Sequence, residues 1–410
     1  MDTDARSTPS GTPPLVISAL FVGLAVLFWP GILGRMISLD WRWGNLAHPA
    51  RNLTLLFGVV AVVILIARRP VAAIWARIFP TRRRLLFVLA SVAFSILFSL
   101  LLIEAGLRIA GLPFRMKNSP PVNAVAQFDP QIGWVYIPNK TVVQPFGPDH
   151  RPVTMNIDEN GSRVAAPGVH HDPAKPSILF VGDSFMVGHG VQYEESLTGR
   201  LEAMPEFPFQ AVNFAVQGYG TDQSLLMLER QFARFNTRAV VFEFIPDHLN
   251  RNENYDRRVL FPSDRFLGTK PLFGVRSDGT LYLRKPALRL ENLHYSRIGA
   301  VLDILLYRYG PRVTDTLTRA LVEEMRRYVE SHGAVFIVLY WSRTTNKNKA
   351  PVPGRDSYFR GMNLHIIDTA LDAPPDWNDW FFPDDGHPDP RAHARAADMI
   401  RDAIKEWVLR

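Results

Sequence analysis

Ser177-Ile178-Leu179-Phe180-Val181-Gly182-Asp183-Ser184-Phe185 is the stretch on which the fold of this chain turns. Its first five residues are a short, nearly continuous apolar run rich in strand formers, and Gly-Asp-Ser follows without a spacer. An uninterrupted apolar strand of this length belongs in a sheet covered on both faces. Further runs of the same kind follow at Val212–Val216, Ala239–Ile245, Ala334–Tyr340 and Leu364–Ile367. Helix-compatible sequence separates or follows them, at Tyr193–Ala203, Asp222–Phe235, Thr314–Ser331 and Pro390–Val408. The alternation predicts an α/β domain built on a parallel sheet. Residues 249–311 interrupt the rhythm and hold a predicted hairpin about Asp278-Gly279, between Phe273–Arg276 and Thr280–Leu283.

Upstream the composition changes twice. Residues 118–176 are rich in Pro, Asn, Asp and Gly and read as a linker with short strands, such as Gly133–Ile137 and Val153–Ile157, and a turn at Asn160-Gly161. Residues 1–117 hold three apolar segments, roughly Pro14–Ile37, Leu46 or Leu53 to Ala67, and Leu85–Leu107. Their lengths predict three transmembrane helices, the second marginal against the roughly 20 residues a crossing needs. The loop between the second and third carries Arg68, Arg69, Arg77, Arg82, Arg83 and Arg84, which by the positive-inside rule places that loop in the cytoplasm. The expected arrangement is a membrane module at 1–117, the linker at 118–176, and an α/β domain at 177–410 on the outer side of a bacterial cytoplasmic membrane, in the periplasm.

Charge and cysteine narrow the function. The net charge is +7, but residues 1–117 hold 13 Lys/Arg against 4 Asp/Glu, a net of +9 that leaves −2 for the rest. The basic excess lies with the lipid bilayer, and a nucleic-acid partner loses its main support. With no cysteine, disulfides and thiolate metal sites are excluded.

Two motifs carry chemistry. Ser184 leaves the carboxyl end of a strand, where open α/β sheets bind ligands. Asp384-Asp385-Gly386-His387 precedes the last predicted helix, and a carboxylate three residues before a histidine can hold its ring as a general base. Each motif is ordinary by itself, since Gly, Asp and Ser make turns and Asp and His gather at helix starts. A metal reading of Asp384, Asp385, His387, Asp389 and His393, or of His170-His171, matches no known spacing; neither a metal nor a cofactor is predicted.

Taken together, in this order and on this scaffold, the motifs make residues 177–408 resemble the SGNH (GDSL-like) hydrolase superfamily, in a membrane-anchored bacterial form. The resemblance implies a three-layer flavodoxin-like sheet and a serine esterase with Ser184 as nucleophile, His387 as base and Asp384 as its orienter. It implies an oxyanion hole from the N–H groups of Ser184 and of Gly218, within Asn213–Gly218, with Gly220 as the alternative glycine. The third block departs from the family: Asp247 stands where an asparagine donor is expected, and an ionised carboxylate cannot donate. Asn250, Asn252, His248 and Arg251 are the candidates for the substituted donor. The expected substrate is an acylated carbohydrate, an O-acyl and in particular acetyl ester of envelope or secreted polysaccharide, with lipid esters as the second choice. The alternatives are acyl transfer by the same triad, or a non-catalytic carbohydrate-binding or scaffolding module.

Overall fold

The computed structural model describes residues 12–27, 29, 43–78, 81–112, 124–146, 151–257, 267–289, 296–302, 315–343 and 356–409. The chain divides into two compact units, Met1–Arg115 with Tyr295–Arg312, and Met116–His294 with Val313–Arg410.

The first unit is helical: α1 (Thr12–Leu27), α2 (Trp43–Ile66), α3 (Arg68–Ile78) and α4 (Arg82–Ile109). Helices α1 and α2 form an antiparallel pair, with Ser18 Oγ donating to the Ala61 carbonyl at 3.1 Å and Phe21 against Phe57. Among the described residues, one helix is long and apolar enough to cross a membrane, Arg83–Ile109 within α4. This departs from the three crossings expected. Helix α1 has 16 residues, about 24 Å at 1.5 Å per residue, short of the roughly 30 Å hydrocarbon core. Helix α2 ends where the chain bends by 89° into the Arg-rich α3. Glu104 of α4 accepts hydrogen bonds from Ser296 Oγ and from the N–H groups of Arg297 and Ile298, each at 3.0 Å, so part of the predicted insertion belongs to this unit.

The second unit is built on one eight-stranded sheet. Its parallel part comprises β6 (Pro176–Val181), β7 (Gln210–Asn213), β8 (Asn236–Phe244), β11 (Val335–Tyr340) and β12 (His365–Asp368). Their spatial order is β7-β6-β8-β11-β12, the 2-1-3-4-5 order of a flavodoxin-like sheet. Strand β6 lies inside the sheet, and Ile178, Leu179, Phe180 and Val181 are fully buried, as their continuous apolar run requires. Helices α6 (Leu197–Glu202), α7 (Thr221–Gln231), α9 (Thr316–Ser331) and α11 (Pro390–Trp407) pack on the sheet in two pairs, α6 with α11 and α7 with α9.

The stretch before β6 is more than a linker. Strands β3 (Thr141–Phe146), β4 (Arg151–Ile157) and β5 (Arg163–Val164) extend the main sheet antiparallel beyond β7, through the Arg163–Asn213 pairing. A separate ribbon of β1 (Ala126–Asp129) and β2 (Gly133–Tyr136) precedes them. The predicted hairpin forms as β9 (Leu272–Val275) and β10 (Leu281–Lys285), turning at Gly279.

Candidate active site

Strand β6 ends at Val181, and Gly182 passes so close to Glu243 of β8 that a Cβ there would lie 2.4 Å from Oε2. Only glycine fits this approach, which lets the chain turn at once into a one-turn helix, α5 (Ser184–Val187). Asp183 caps it, Oδ1 accepting the Phe185 N–H at 2.8 Å. Ser184 is 8% exposed at the mouth of the turn.

His387 arrives from the other end of the chain. Residues 382–387 form a tight loop in which Phe382 N–H donates to the His387 carbonyl and Gly386 N–H to the Phe382 carbonyl, both at 2.8 Å. The loop brings His387 Nε2 to 2.8 Å from Ser184 Oγ. The carboxylate at His387 Nδ1 is that of Asp385, at 2.8 Å, with the ring N–H off the line of centres. The sequence reading put Asp384 there. Asp385 Oδ1 also accepts the His387 N–H at 3.1 Å, and this two-residue turn holds its carboxylate beneath the ring. Asp384 is exposed and makes no side-chain hydrogen bond among the described residues.

The loop expected to supply the second oxyanion N–H follows β7. Gly218 sits at φ +79°, and its N–H has no acceptor among the described residues. The N–H of Ser184, first in its helix, likewise has no intrahelical partner. Gly220 is otherwise engaged, donating to Gln223 Oε1 at 3.3 Å, so Gly218 is the glycine with an N–H to offer. Tyr136 and Trp134 of β2 pin the loop: Gln217 N–H donates to Tyr136 Oη at 3.2 Å, and Trp134 Nε1–H donates to the Gln217 carbonyl at 3.0 Å.

The third block, on α8 (Asp247–Asn252), is a charge lock. Arg251 donates through Nε to Asp247 at 2.7 Å, and through Nη1 to Asp183 and to the Tyr219 carbonyl, the latter at 2.9 Å. One guanidinium therefore joins the serine turn, the loop after β7 and α8. Burial would raise the Asp183 pKa, but Arg251 and then His248 outweigh it and hold the carboxyl well below the usual range. Glu243 beneath it is pushed the other way, by burial and by the charge of Asp183. Asp247 is burdened by burial but held low by Arg251, so it is an acceptor for Arg251 and not an oxyanion donor.

The other candidates for the substituted donor separate. His248 is fully buried between Phe242 and Phe244, 3.6 Å from Asp183. Asn252 is fully buried and ties α7 to α9 through Thr221 and Thr318. Asn250 is half-buried and makes no side-chain hydrogen bond among the described residues. Arg251 has committed Nε and Nη1.

One histidine escaped the sequence reading. His189 lies beside His387, ring centroids 4.7 Å apart, with Nε2 3.8 Å from Asp385 Oδ2 and Nδ1 2.5 Å from Gln217 Nε2. It follows the left-handed Gly188 that ends α5, and no sequence pattern announces a single-turn helix. Among the described residues, the groups able to hold a cation together are His189, Asp385 and His387, and the buried set Asp183, Glu243 and His248, whose charge Arg251 already balances. Of the metal reading Asp385 and His387 stay together, while the rest scatter: Asp389 caps α11, His393 is buried against Trp341, and His170 and His171 pair with Glu159 and Asp158.

No protein-family model matches the chain, and no curated protein matches it. Solved structures do. The crystal structure of TesA is 14% identical over 56% of this chain and 98% of that one, with a TM-score of 0.34. The esterase EstA from Pseudoalteromonas sp. is 16% identical over 58% and 100%, TM-score 0.31. The lipase/acylhydrolase from Enterococcus faecalis is 13% identical over 56% and 96%, TM-score 0.33. At these identities and TM-scores the likeness carries no argument about this chain's family or substrate.

Proposed function

We propose that the second unit is a serine ester hydrolase acting on O-acyl, in particular acetyl, esters of envelope or secreted polysaccharide, held outside a bacterial cytoplasmic membrane by the first unit. The observation that carries the chemistry is the 2.8 Å approach of His387 Nε2 to Ser184 Oγ. Ser184 Oγ attacks the ester carbonyl as its proton passes to His387 Nε2, and the tetrahedral oxyanion faces the N–H groups of Ser184 and Gly218. The alkoxide leaves with the proton from His387, and the acyl group stays on Ser184. Water then repeats the sequence and releases the acid.

A short acyl group is favoured by the smallness of the mixed recess beside the site, lined by Gln144, Phe146, Met155, Arg163, His189 and Gln217, with room for about one water-sized group. Membrane attachment is supported by α4, whose large apolar side chains such as Leu86, Phe87, Phe94 and Leu101 are exposed. The test is labelling of the full chain in detergent with a fluorophosphonate. Ser184 is expected to take the label and Ser184→Ala to take none. A wild-type chain that stays unlabelled while folded would sink the reading. Product analysis with an acetylated oligosaccharide, with and without an excess of sugar acceptor, separates hydrolysis from transfer.

A further inference from the structure

The hydrogen-bond directions around His387 continue beyond three residues. Gln217 Nε2 faces His189 Nδ1 at 2.5 Å, and an amide N–H can only donate. Nδ1 is then the acceptor nitrogen of a neutral ring, and the ring proton sits on Nε2. That nitrogen points at Asp385 Oδ2, 3.8 Å away, a gap that a small rotation of the half-exposed carboxylate closes. The same Oδ2 faces His387 Nδ1 at 2.8 Å, which leaves His387 Nε2 as the lone pair that accepts the Ser184 hydroxyl. The outer contacts, Gln217 to His189 and Ser184 to His387, are hydrogen bonds, and between them Asp385 Oδ2 faces both rings, at 3.8 Å from His189 and at 2.8 Å, off the N–H line, from His387.

We propose that His189 is a positioning residue of this site: a second imidazole that clamps Asp385 in line with His387, its tautomer set by Gln217. The inference rests on the Ser184–His387 reading. The backbone turn of Asp385 engages Oδ1 alone, and the clamp supplies a second hold on this exposed carboxylate at Oδ2, the oxygen that meets His387.

The groups facing His189 fit the role. Phe146 packs edge-on at 5.0 Å between ring centroids, Asp385 and His387 lie on its outer side, and Arg163 and Asp183 are the nearest buried charges. Burial first, then the nearby His387, hold its pKa down at about 4. It therefore stays neutral where an esterase base works, and puts no second cation beside the imidazolium that His387 becomes.

The experiment is a double-mutant cycle on the full chain in detergent, with p-nitrophenyl acetate as substrate and the pH dependence of kcat/KM recorded for each variant. His189→Leu keeps bulk and loses the donor. It is expected to lower kcat roughly tenfold, the size of effect typical for groups that orient a site from behind, with KM within twofold. Its acid limb is expected to move to higher pH, because Asp385 with one donor fewer stabilises the His387 imidazolium more strongly. His189→Gln, which can present an N–H where Nε2 stood, is expected to recover the rate to within threefold. In an Asp385→Asn background, His189→Leu is expected to cost nothing further, as groups that act through one another are non-additive. A cycle in which the two losses add, or a His189→Leu variant that changes KM alone with the acid limb unmoved, overturns the proposal and leaves His189 as pocket wall. Failure of the esterase reading itself would show separately, as loss of fluorophosphonate labelling in the wild type.

Discussion

Asp385 stands one residue nearer to His387 than the spacing of the family motif allots to the orienting carboxylate, and the reason is local. The loop folds back on itself through Gly386 at φ +80°, and Asp385 binds the His387 backbone with one oxygen while the other meets the ring. A side chain already fixed by its own turn loses little entropy in orienting the base. Asp385→Asn is therefore expected to lower kcat about a hundredfold or more, while Asp384→Asn stays within threefold, measured as p-nitrophenyl acetate turnover. The reverse order would restore the motif assignment. Arg251 poses a different question, because its guanidinium answers a fully buried carboxylate. Arg251→Met takes the cation from the buried Asp183 and leaves it only His248 and the Phe185 N–H among the partners described, a change that typically costs about 3–5 kcal/mol, on the order of 10 °C in Tm for a unit of this size. Asp247→Asn removes only the more exposed partner and is expected to shift Tm by no more than about 3 °C in the same thermal melts. Of these residues motif spacing singled out Ser184, His387 and Gly218, and the structure brings Ser184 and His387 together. Which of two adjacent aspartates faces the ring, and which way a histidine five residues past the nucleophile points, depends on turns of one or two residues that no periodicity records.

Elements were legible where their burial is two-sided. The five parallel strands came straight from apolar runs, and α9 and α11 from helix-compatible sequence, displaced by up to three residues at the ends. Strand β4 was read as Val153–Ile157, but β3 and β5 were hidden because they lie at the sheet's flank, with Pro145 and alternating exposure along β3. Their attachment has a chemical fastening. His171, buried just ahead of β6, lies 3.5 Å from both Asp158, in the turn after β4, and Glu202, at the end of α6. Burial disfavours its charge, but the two carboxylates outweigh burial and raise its pKa to about 9. An imidazole whose pKa is higher folded than unfolded contributes stability that is whole below about pH 6.5 and disappears as the pH rises through about 9. Thermal melts of the full chain are expected to lose on the order of 1–3 kcal/mol of stability across that window. His171→Gln should be less stable at pH 6 and converge with the wild type near pH 10. If the two run parallel throughout, His171 carries no proton that folding cares about.

At the scale of the whole molecule, the count of crossings matters less than their parity. The sequence suggested three crossings because apolar length was legible, whereas the 89° bend after Ile66 and the shortness of α1 are backbone events that composition does not reveal. Helices α1 and α2 are antiparallel partners. Whether that hairpin crosses the bilayer and returns or enters and leaves by one face, both its ends finish on the same side. The side on which the second unit lies then rests on α4 alone. Its amino-terminal end carries Arg82, Arg83 and Arg84, with Arg68, Arg69 and Arg77 on the short helix before it, whereas beyond its last turn only Arg115 and Lys117 follow before residue 118. With six positive charges against two, all close to the helix ends, α4 is expected to lie with the six in the cytoplasm. A reporter active only outside the membrane is thus expected to be active when fused after Lys117 and silent when fused at Arg77. Replacing Arg82, Arg83 and Arg84 together by Glu should lower the ratio of the two signals without changing the parity at α1, where a fusion before Thr12 stays silent. Activity at Arg77 and silence after Lys117 would put the esterase site in the cytoplasm, and with it remove envelope polysaccharide from its reach.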